Sequence, residues 1–191
     1  MASFLVAYQK TAKREGKYTF TEGDRGGETY KGLARNRQPS WPGWALIDAA
    51  KLKPGFPENL EADTVLQRFV QEFYRGLWHL FDLDSISCQM LADEIFDTSV
   101  NMGPSRAAIF LQESMNVLNN GGTRWPDIHE DGHIGPETLS VMRRLGEYEE
   151  FVAKMFICLR GSHYKKIMKN DPTQEQFALS WLRRLSITFT E

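Results

Sequence analysis

At 191 residues the chain is long enough to bury a sizeable core, as one domain or two closely packed halves. Its 41% hydrophobic, 25% charged and 12% aromatic residues are those of a folded globular protein and exclude intrinsic disorder. A formal charge of −2 excludes bulk attraction to nucleic acid or to an anionic membrane, and no apolar run reaches the roughly 20 residues that span a bilayer.

Helical periodicity dominates the sequence. Phe4, Leu5, Tyr8 and Ala12 share one face, which predicts an amphipathic helix from residue 3 to about 15, closed by Gly16. The first eight residues have no basic stretch and too short an apolar run for a signal peptide, so a protein made in the cytoplasm is expected. From Lys17 to Arg37 the periodicity disappears among Gly23, Gly26, Gly27 and Gly32, predicting a turn-rich segment with one short β-hairpin. Trp44, Leu46, Ile47 and Ala50 suggest a short helix between breaks at Pro39–Gly43 and Pro54–Pro57.

A long helix fits Ala62 to Trp78, with Val65, Leu66, Phe69, Val70, Phe73, Tyr74 and Leu77 on its buried side. Ser87 is the expected cap of the next helix, which carries Met90, Leu91, Ile95, Phe96 and Val100. Gly103 stops that helix, and Pro104 starts another through Ala107, Ala108, Leu111, Met115 and Leu118. Residues 119–135 read as a loop or small hairpin, followed by a short helix from Pro136 to Leu145. A further helix carries Phe151, Met155, Phe156 and Leu159. The last is expected from about Thr173 through Phe177, Trp181 and Leu185. The class is mainly α. The two cysteines, Cys88 and Cys158, sit among apolar residues and read as buried thiols rather than a disulfide scaffold.

One constellation suits chemistry. Glu15 lies at the carboxyl end of the first helix, Asp24 follows nine positions later in a glycine-rich turn, and Thr29 five positions after that. Glycosidic cleavage needs a protonated donor for the departing oxygen and commonly a second carboxylate to manage water or the developing cation. A helix end packed on apolar groups, under the C-terminal dipole, favours the neutral acid, while a solvated loop carboxylate stays charged. Taken alone, the pair reads more readily as solvated surface charge, the usual state of acidic residues, than as a catalytic couple.

The run from Glu15 to Leu33 resembles the amino-terminal signature of glycoside hydrolase family 108, a group of N-acetylmuramidases with lysozyme-like folds. Glu15, Gly16, Tyr18, Asp24, Gly26, Gly27, Thr29 and Gly32 match that pattern without a gap, and Leu33 replaces its isoleucine. The order Glu, Asp, Thr also looks like that of phage-type lysozymes. Lys17, Thr21 and Arg25 depart from the family pattern, at a glycine, an aspartate and a proline respectively. Farther on, Phe96–Gly103 with Ala107, Ala108, Leu111 and Gln112 looks like the start of a partner region predicted to bind peptidoglycan. Asp131–Leu139 looks like that region's turn-and-helix motif, and Arg160, His163, Tyr164, Phe177, Trp181, Leu182 and Arg183 fit its closing helices.

The resemblance implies a lysozyme-like helical fold with a small β-hairpin or glycine-rich turn after the first helix. It implies a catalytic region at 1–95 and a peptidoglycan-binding region at 96–191, packed as one unit. The implied activity is hydrolysis of the β-1,4 bond between N-acetylmuramic acid and N-acetylglucosamine. Glu15 is then the general acid, Asp24 and Thr29 order water, and Tyr18, Tyr30 and Asn101 are candidate substrate contacts. The alternative from the same resemblance is a weakly active wall-binding or secretion-activating protein. The expected partner is the glycan strand, with no nucleic acid, no membrane insertion and no cofactor or metal. A holin-type pore or lysis would carry the protein to the wall.

Other residues have competing readings. Asn101, before Gly103, suits a helix cap or a place lining a sugar cleft. Asp97 reads as a buried structural carboxylate. Asp127, His129, Glu130, Asp131 and His133 match neither a zinc helix nor a calcium loop and read as a solvated loop. Trp41 and Trp44 suit either a sugar-stacking rim or, with more weight, a hydrophobic anchor for their loop.

Overall fold

The computed structural model describes residues 1–20 and 27–187. Its elements in order are α1 (Phe4–Ala12), β1 (Tyr18–Thr19), β2 (Thr29–Tyr30), β3 (Leu33–Ala34), α2 (Gly43–Lys51), α3 (Thr64–Leu80), α4 (Gln89–Met102), α5 (Pro104–Leu118), α6 (Pro136–Met142), α7 (Glu149–Asn170) and α8 (Ala178–Leu182). The class is mainly α, with one small sheet after the first helix. Two compact units divide the chain, Tyr8–Gly76 and Met1–Ala7 with Leu77–Glu191. No helix among the described residues is long and apolar enough to cross a membrane.

The first helix stops earlier than its periodicity suggests. Phe4, Ala7 and Thr11 form the buried stripe, while Leu5 is exposed. Beyond Ala12 the N–H groups of Arg14 and Glu15 both donate to the Thr11 carbonyl, at 2.9 and 3.2 Å, which gives one tightened turn before Gly16. The carboxylate of Glu15 is thereby set just past the helix rather than on it.

In the Tyr8–Gly76 unit the three strands form an antiparallel meander. Tyr18 pairs with Tyr30 and Thr19 with Thr29; Thr29 pairs in turn with Ala34 and Tyr30 with Leu33. The β2–β3 link is a two-residue turn, Lys31-Gly32, with φ of 46° and 81°. Positive φ at both positions is the backbone of a type I′ hairpin, whose twist matches that of the strands. Tyr30 and Leu33 point into a core shared with Ile47, Leu60, Leu66, Val70 and Tyr74. Along α3 the buried positions are Leu66, Val70, Tyr74 and Trp78, four residues apart, while Val65 lies outside the stripe and is exposed.

Trp41 and Trp44 are loop anchors. Both are buried and meet edge to face at 5.1 Å, and their indole N–H groups donate to the carbonyls of Phe69 and Gln38. A Cβ on Gly43 would stand 2.1 Å from the Trp41 ring, so that position admits only glycine.

In the other unit α4 is buried at every residue from Leu91 to Ser99. Phe4, Trp78 and Phe96 form an aromatic triangle with centroids 5.7 to 6.0 Å apart. Ser87 does not cap α4. The N-cap is Cys88, and the N–H groups of Ser87 and Cys88 donate to the buried carboxylate of Glu149, at 2.9 and 2.6 Å. The residue that satisfies this helix start comes from the first turn of α7, which a local cap rule cannot see.

Residues 119–135 form a loop without strands, held by one face of α5. Gln112 accepts from the Gly132 N–H and donates towards Asp131, the His133 carbonyl and Thr138. Asn116 makes both backbone bonds of Ile128, and Asn119 accepts from the Gly122 N–H. Residues 172–182 are not one helix: a 3₁₀ segment, Pro172–Phe177, precedes the five-residue α8. Cys158 is exposed and Cys88 only partly buried, so the expectation of two buried thiols fails. The inward face of α7 is taken by Val152, Phe156, Arg160 and Tyr164, and Cys158 falls on the outward one with Phe151 and Lys154.

Candidate active site

The half-buried Glu15 reaches the hairpin turn. A Cβ on Gly32 would lie 2.9 Å from Glu15 Oε2 and 2.7 Å from the Tyr74 hydroxyl, so the two oxygens converge on the bare backbone of that turn. Tyr74 donates to the Lys31 carbonyl at 2.5 Å, tying the turn to α3. Its ring packs on Tyr8 at 5.7 Å. Sequence reasoning had Tyr74 as a core residue only. The available signal was a polar-tipped aromatic within an apolar stripe, whose hydroxyl needs a partner once buried.

Thr29 begins β2, three residues before Gly32 on the same hairpin, and is half-buried. Side chains alternate along a strand, so with Tyr30 turned into the core Thr29 faces the other side. Tyr30 is fully buried; its hydroxyl accepts from Gln67 at 2.9 Å and donates to Glu61 at 3.2 Å. Burial, then the charge of Glu61, pushes that phenol well above its ordinary pKa. Tyr30 is thus a support of the sheet and not a surface for ligand. Asp24 lies outside the described residues, as do Thr21 and Arg25.

A second carboxylate in the unit, Glu28, has a different setting. Its Oε1 accepts from Tyr18 at 2.5 Å, it pairs with Lys51, and Arg35 Nε stands 2.6 Å from its Oε2. Arg35 also forks onto Asp48, at 2.7 and 3.0 Å. Burial alone would raise the Glu28 pKa; hydrogen bonds from Lys51 and Tyr18, with the Arg35 charge, more than offset it and hold the group below the usual carboxylate range. Glu28 is an anion fixed by cations, unsuited to giving up a proton. Tyr18, whose hydroxyl this anion engages, turns its ring edge to face against Phe56 at 4.7 Å.

Asn101 belongs to the other unit, near the end of α4. Its Oδ1 accepts from the Tyr164 hydroxyl at 3.0 Å, and with Arg106, His163, Tyr164 and Trp181 it lines a pocket of about 350 Å³. Asp97 is a buried structural carboxylate, bound to Arg160 at 2.5 Å and Arg184 at 3.2 Å. Arg160 is itself fully buried and also pairs with Glu94 at 3.0 Å. Among the described residues no group of three or more His, Cys, Asp or Glu is arranged to hold a metal ion.

The family model described as "Glycosyl hydrolase 108" matches residues 8–103, half of the chain. The chain belongs to the glycosyl hydrolase 108 family. A second model, "Predicted Peptidoglycan domain", matches residues 106–186. At family level this glycosyl hydrolase 108 member is a peptidoglycan hydrolase, and its partner is peptidoglycan. No match was found among curated proteins. Among solved structures, that of SagA from Brucella abortus is similar in fold, with a TM-score of 0.60 at 20% identity, over 96% of this chain and 89% of that one. The glycosyl hydrolase 108 match covers the Glu15–Leu33 motif and all of α4.

Proposed function

We propose that the chain is an N-acetylmuramidase, hydrolysing the β-1,4 bond between N-acetylmuramic acid and N-acetylglucosamine with Glu15 as general acid. The observation that carries this reading is the convergence of the Glu15 carboxylate and the Tyr74 hydroxyl on the Gly32 turn. A half-buried acid seated against bare backbone has a fixed position, which proton transfer in a transition state requires. The cation-bound state of Glu28 supports the same choice by disqualifying the neighbouring carboxylate.

In the proposed reaction Glu15 gives its proton to the glycosidic oxygen as the bond from that oxygen to the muramic acid C1 breaks. Water adds to C1 from the opposite face, and its proton passes to Asp24. Thr29 orients that water through its hydroxyl. The anomeric configuration is inverted, by analogy with phage-type lysozymes. The roles of Asp24 and Thr29 rest on the motif order Glu, Asp, Thr. Contact with the reacting sugars is assigned to Tyr18; Asn101, in the other unit, is assigned to peptidoglycan away from the reacting bond.

The test is clearing of purified peptidoglycan by wild type and by Glu15→Gln, with mass spectrometry of the fragments. Wild type should release chains with N-acetylmuramic acid at the new reducing end, and the variant should be slower by about a hundredfold or more. An inactive wild type, an equally active variant, or N-acetylglucosamine at the new reducing end would sink the mechanism.

A further inference from the structure

We propose that the pocket lined by Asn101, Arg106 and His163 binds the free carboxylate of a wall stem peptide rather than a sugar. The proposal rests on the family-level reading that residues 106–186 are directed to peptidoglycan. It concerns which chemical part of that polymer is held where those residues meet Asn101 and Met102 at the end of α4.

The direction of a hydrogen-bond chain running from the buried Arg160 out to the exposed Asn101 carries the argument. Arg160 is fully buried and can only donate. Its Nε donates to the Tyr164 hydroxyl at 3.2 Å, so that hydroxyl sends its own proton onward, to Asn101 Oδ1 at 3.0 Å. The Asn101 amide is thereby oriented: its oxygen faces Tyr164 and its NH₂ is left for the pocket. Among the described residues nothing else bonds to that nitrogen. Arg106 brings a permanent cation to the same pocket and makes no ion pair among the described residues; its contact is with the Phe110 ring, at 5.9 Å. His163, edge to face with Phe110 at 5.5 Å, adds a ring N–H. The polar groups therefore present mainly donors, with one imidazole nitrogen as an acceptor, and none of the lining residues is a carboxylate.

Such a pocket calls for an anion, and the shape of its donors sets which kind. Burial, then the charges of Arg106 and Lys166, keeps His163 below its ordinary pKa; Arg106 is the charged side chain of the lining itself, and Lys166 acts from outside it. The planar fork of the Arg106 guanidinium, with the Asn101 amide N–H beside it, matches the two oxygens of a carboxylate. The remaining wall, Met102 and Ile167, is apolar and suits a small aliphatic group beside the anion. A sugar fits poorly. Trp181 is already stacked on Tyr164 and Phe177, at 5.1 and 5.8 Å, so its ring is committed to protein. In the intact wall the glycan also offers no free carboxylate, because the muramic lactyl group is spent in its amide bond to the peptide.

The experiment is titration of the full chain, wild type and variants, with N-acetylated D-alanyl-D-alanine, followed by calorimetry and by the His163 ring resonances. The C-terminal amide of the same dipeptide, inorganic phosphate and a neutral chitin oligomer are the comparison probes. The free acid should bind and shift His163, and the amide should bind at least about tenfold more weakly. Arg106→Ala should lose a similar factor. Asn101→Asp should lose at least as much, because it keeps the acceptor for Tyr164 but turns a negative oxygen to the pocket; an unchanged melting temperature shows that the fold survives. Equal binding of acid and amide overturns the proposal, as does stronger binding of phosphate or of the chitin oligomer at His163. Dipeptide binding by a chain that clears no wall would overturn the muramidase mechanism and leave the pocket standing; clearing without dipeptide binding does the reverse.

Discussion

Glu15 Oε2 stands 2.9 Å from the point where a Cβ on Gly32 would be, so the carboxylate leans on the one position of the hairpin that carries no side chain. Gly32→Ala should therefore be costly twice over. Its φ of 81° is unfavourable for alanine, and the new methyl would meet both Glu15 and Tyr74. We expect a loss of about 2 kcal/mol in urea unfolding, with wall clearing reduced beyond what the lost folded fraction explains. Gly32→Asn relieves the backbone and keeps the collision, so its stability should partly recover while clearing does not.

Glu28 supplies a pH signature. Its folded pKa lies below the ordinary value, so the stability it contributes is complete above the ordinary carboxylate pKa. That contribution is lost as the pH falls through the depressed folded value. Glu28→Gln should cost about 2 kcal/mol at neutral pH and progressively less in acid. Melting curves of the two proteins should converge at low pH; a constant gap across the range would refute the assignment.

Gln112 should be costly to replace by Leu. The change removes the acceptor of the Gly132 N–H and the donor to the His133 carbonyl, leaving buried polar groups without partners. A loss of about 2 kcal/mol is expected. Hydrogen exchange at residues 128–134 should speed up selectively, with α7 unaffected.

Arg160→Met leaves Glu94 and Asp97 buried without their shared cation. Breaking such a group from one side costs about 3–5 kcal/mol. The variant should unfold at much lower urea or fail to accumulate, whereas the triple change that also makes Glu94→Gln and Asp97→Asn should recover much of the loss.

The helices were largely legible in the sequence because their apolar spacing and their Gly and Pro boundaries act locally. Gly103 and Pro104 separate α4 from α5 where expected. Leu5, Val65 and Phe151 were misplaced for one reason: hydrophobicity marks a stripe's neighbourhood, and packing alone decides which edge of it is covered. The start of α4 was misread because the carboxylate that holds it, Glu149, is some sixty residues away. At the candidate site Glu15 stood out through a motif, and the hairpin through its glycines. Tyr74 and Glu28 did not, since their importance lies in what they touch across 43 residues or in a cluster of cations. Gln112, Asn116 and Asn119 follow a helical spacing of amides that could have announced a helix face dressed for a loop.

The buried charges of α4 also set a lower bound on the tail. Two of that helix's three buried acids, Glu94 and Asp97, share Arg160, and Asp97 also pairs with Arg184; the Ser186 N–H adds a bond to Glu94 at 2.7 Å. Trimming the polypeptide before Arg184 would therefore unbalance the interior electrically instead of shaving off loose surface, so affinity tags and reporter fusions should be appended after that stretch rather than substituted for it.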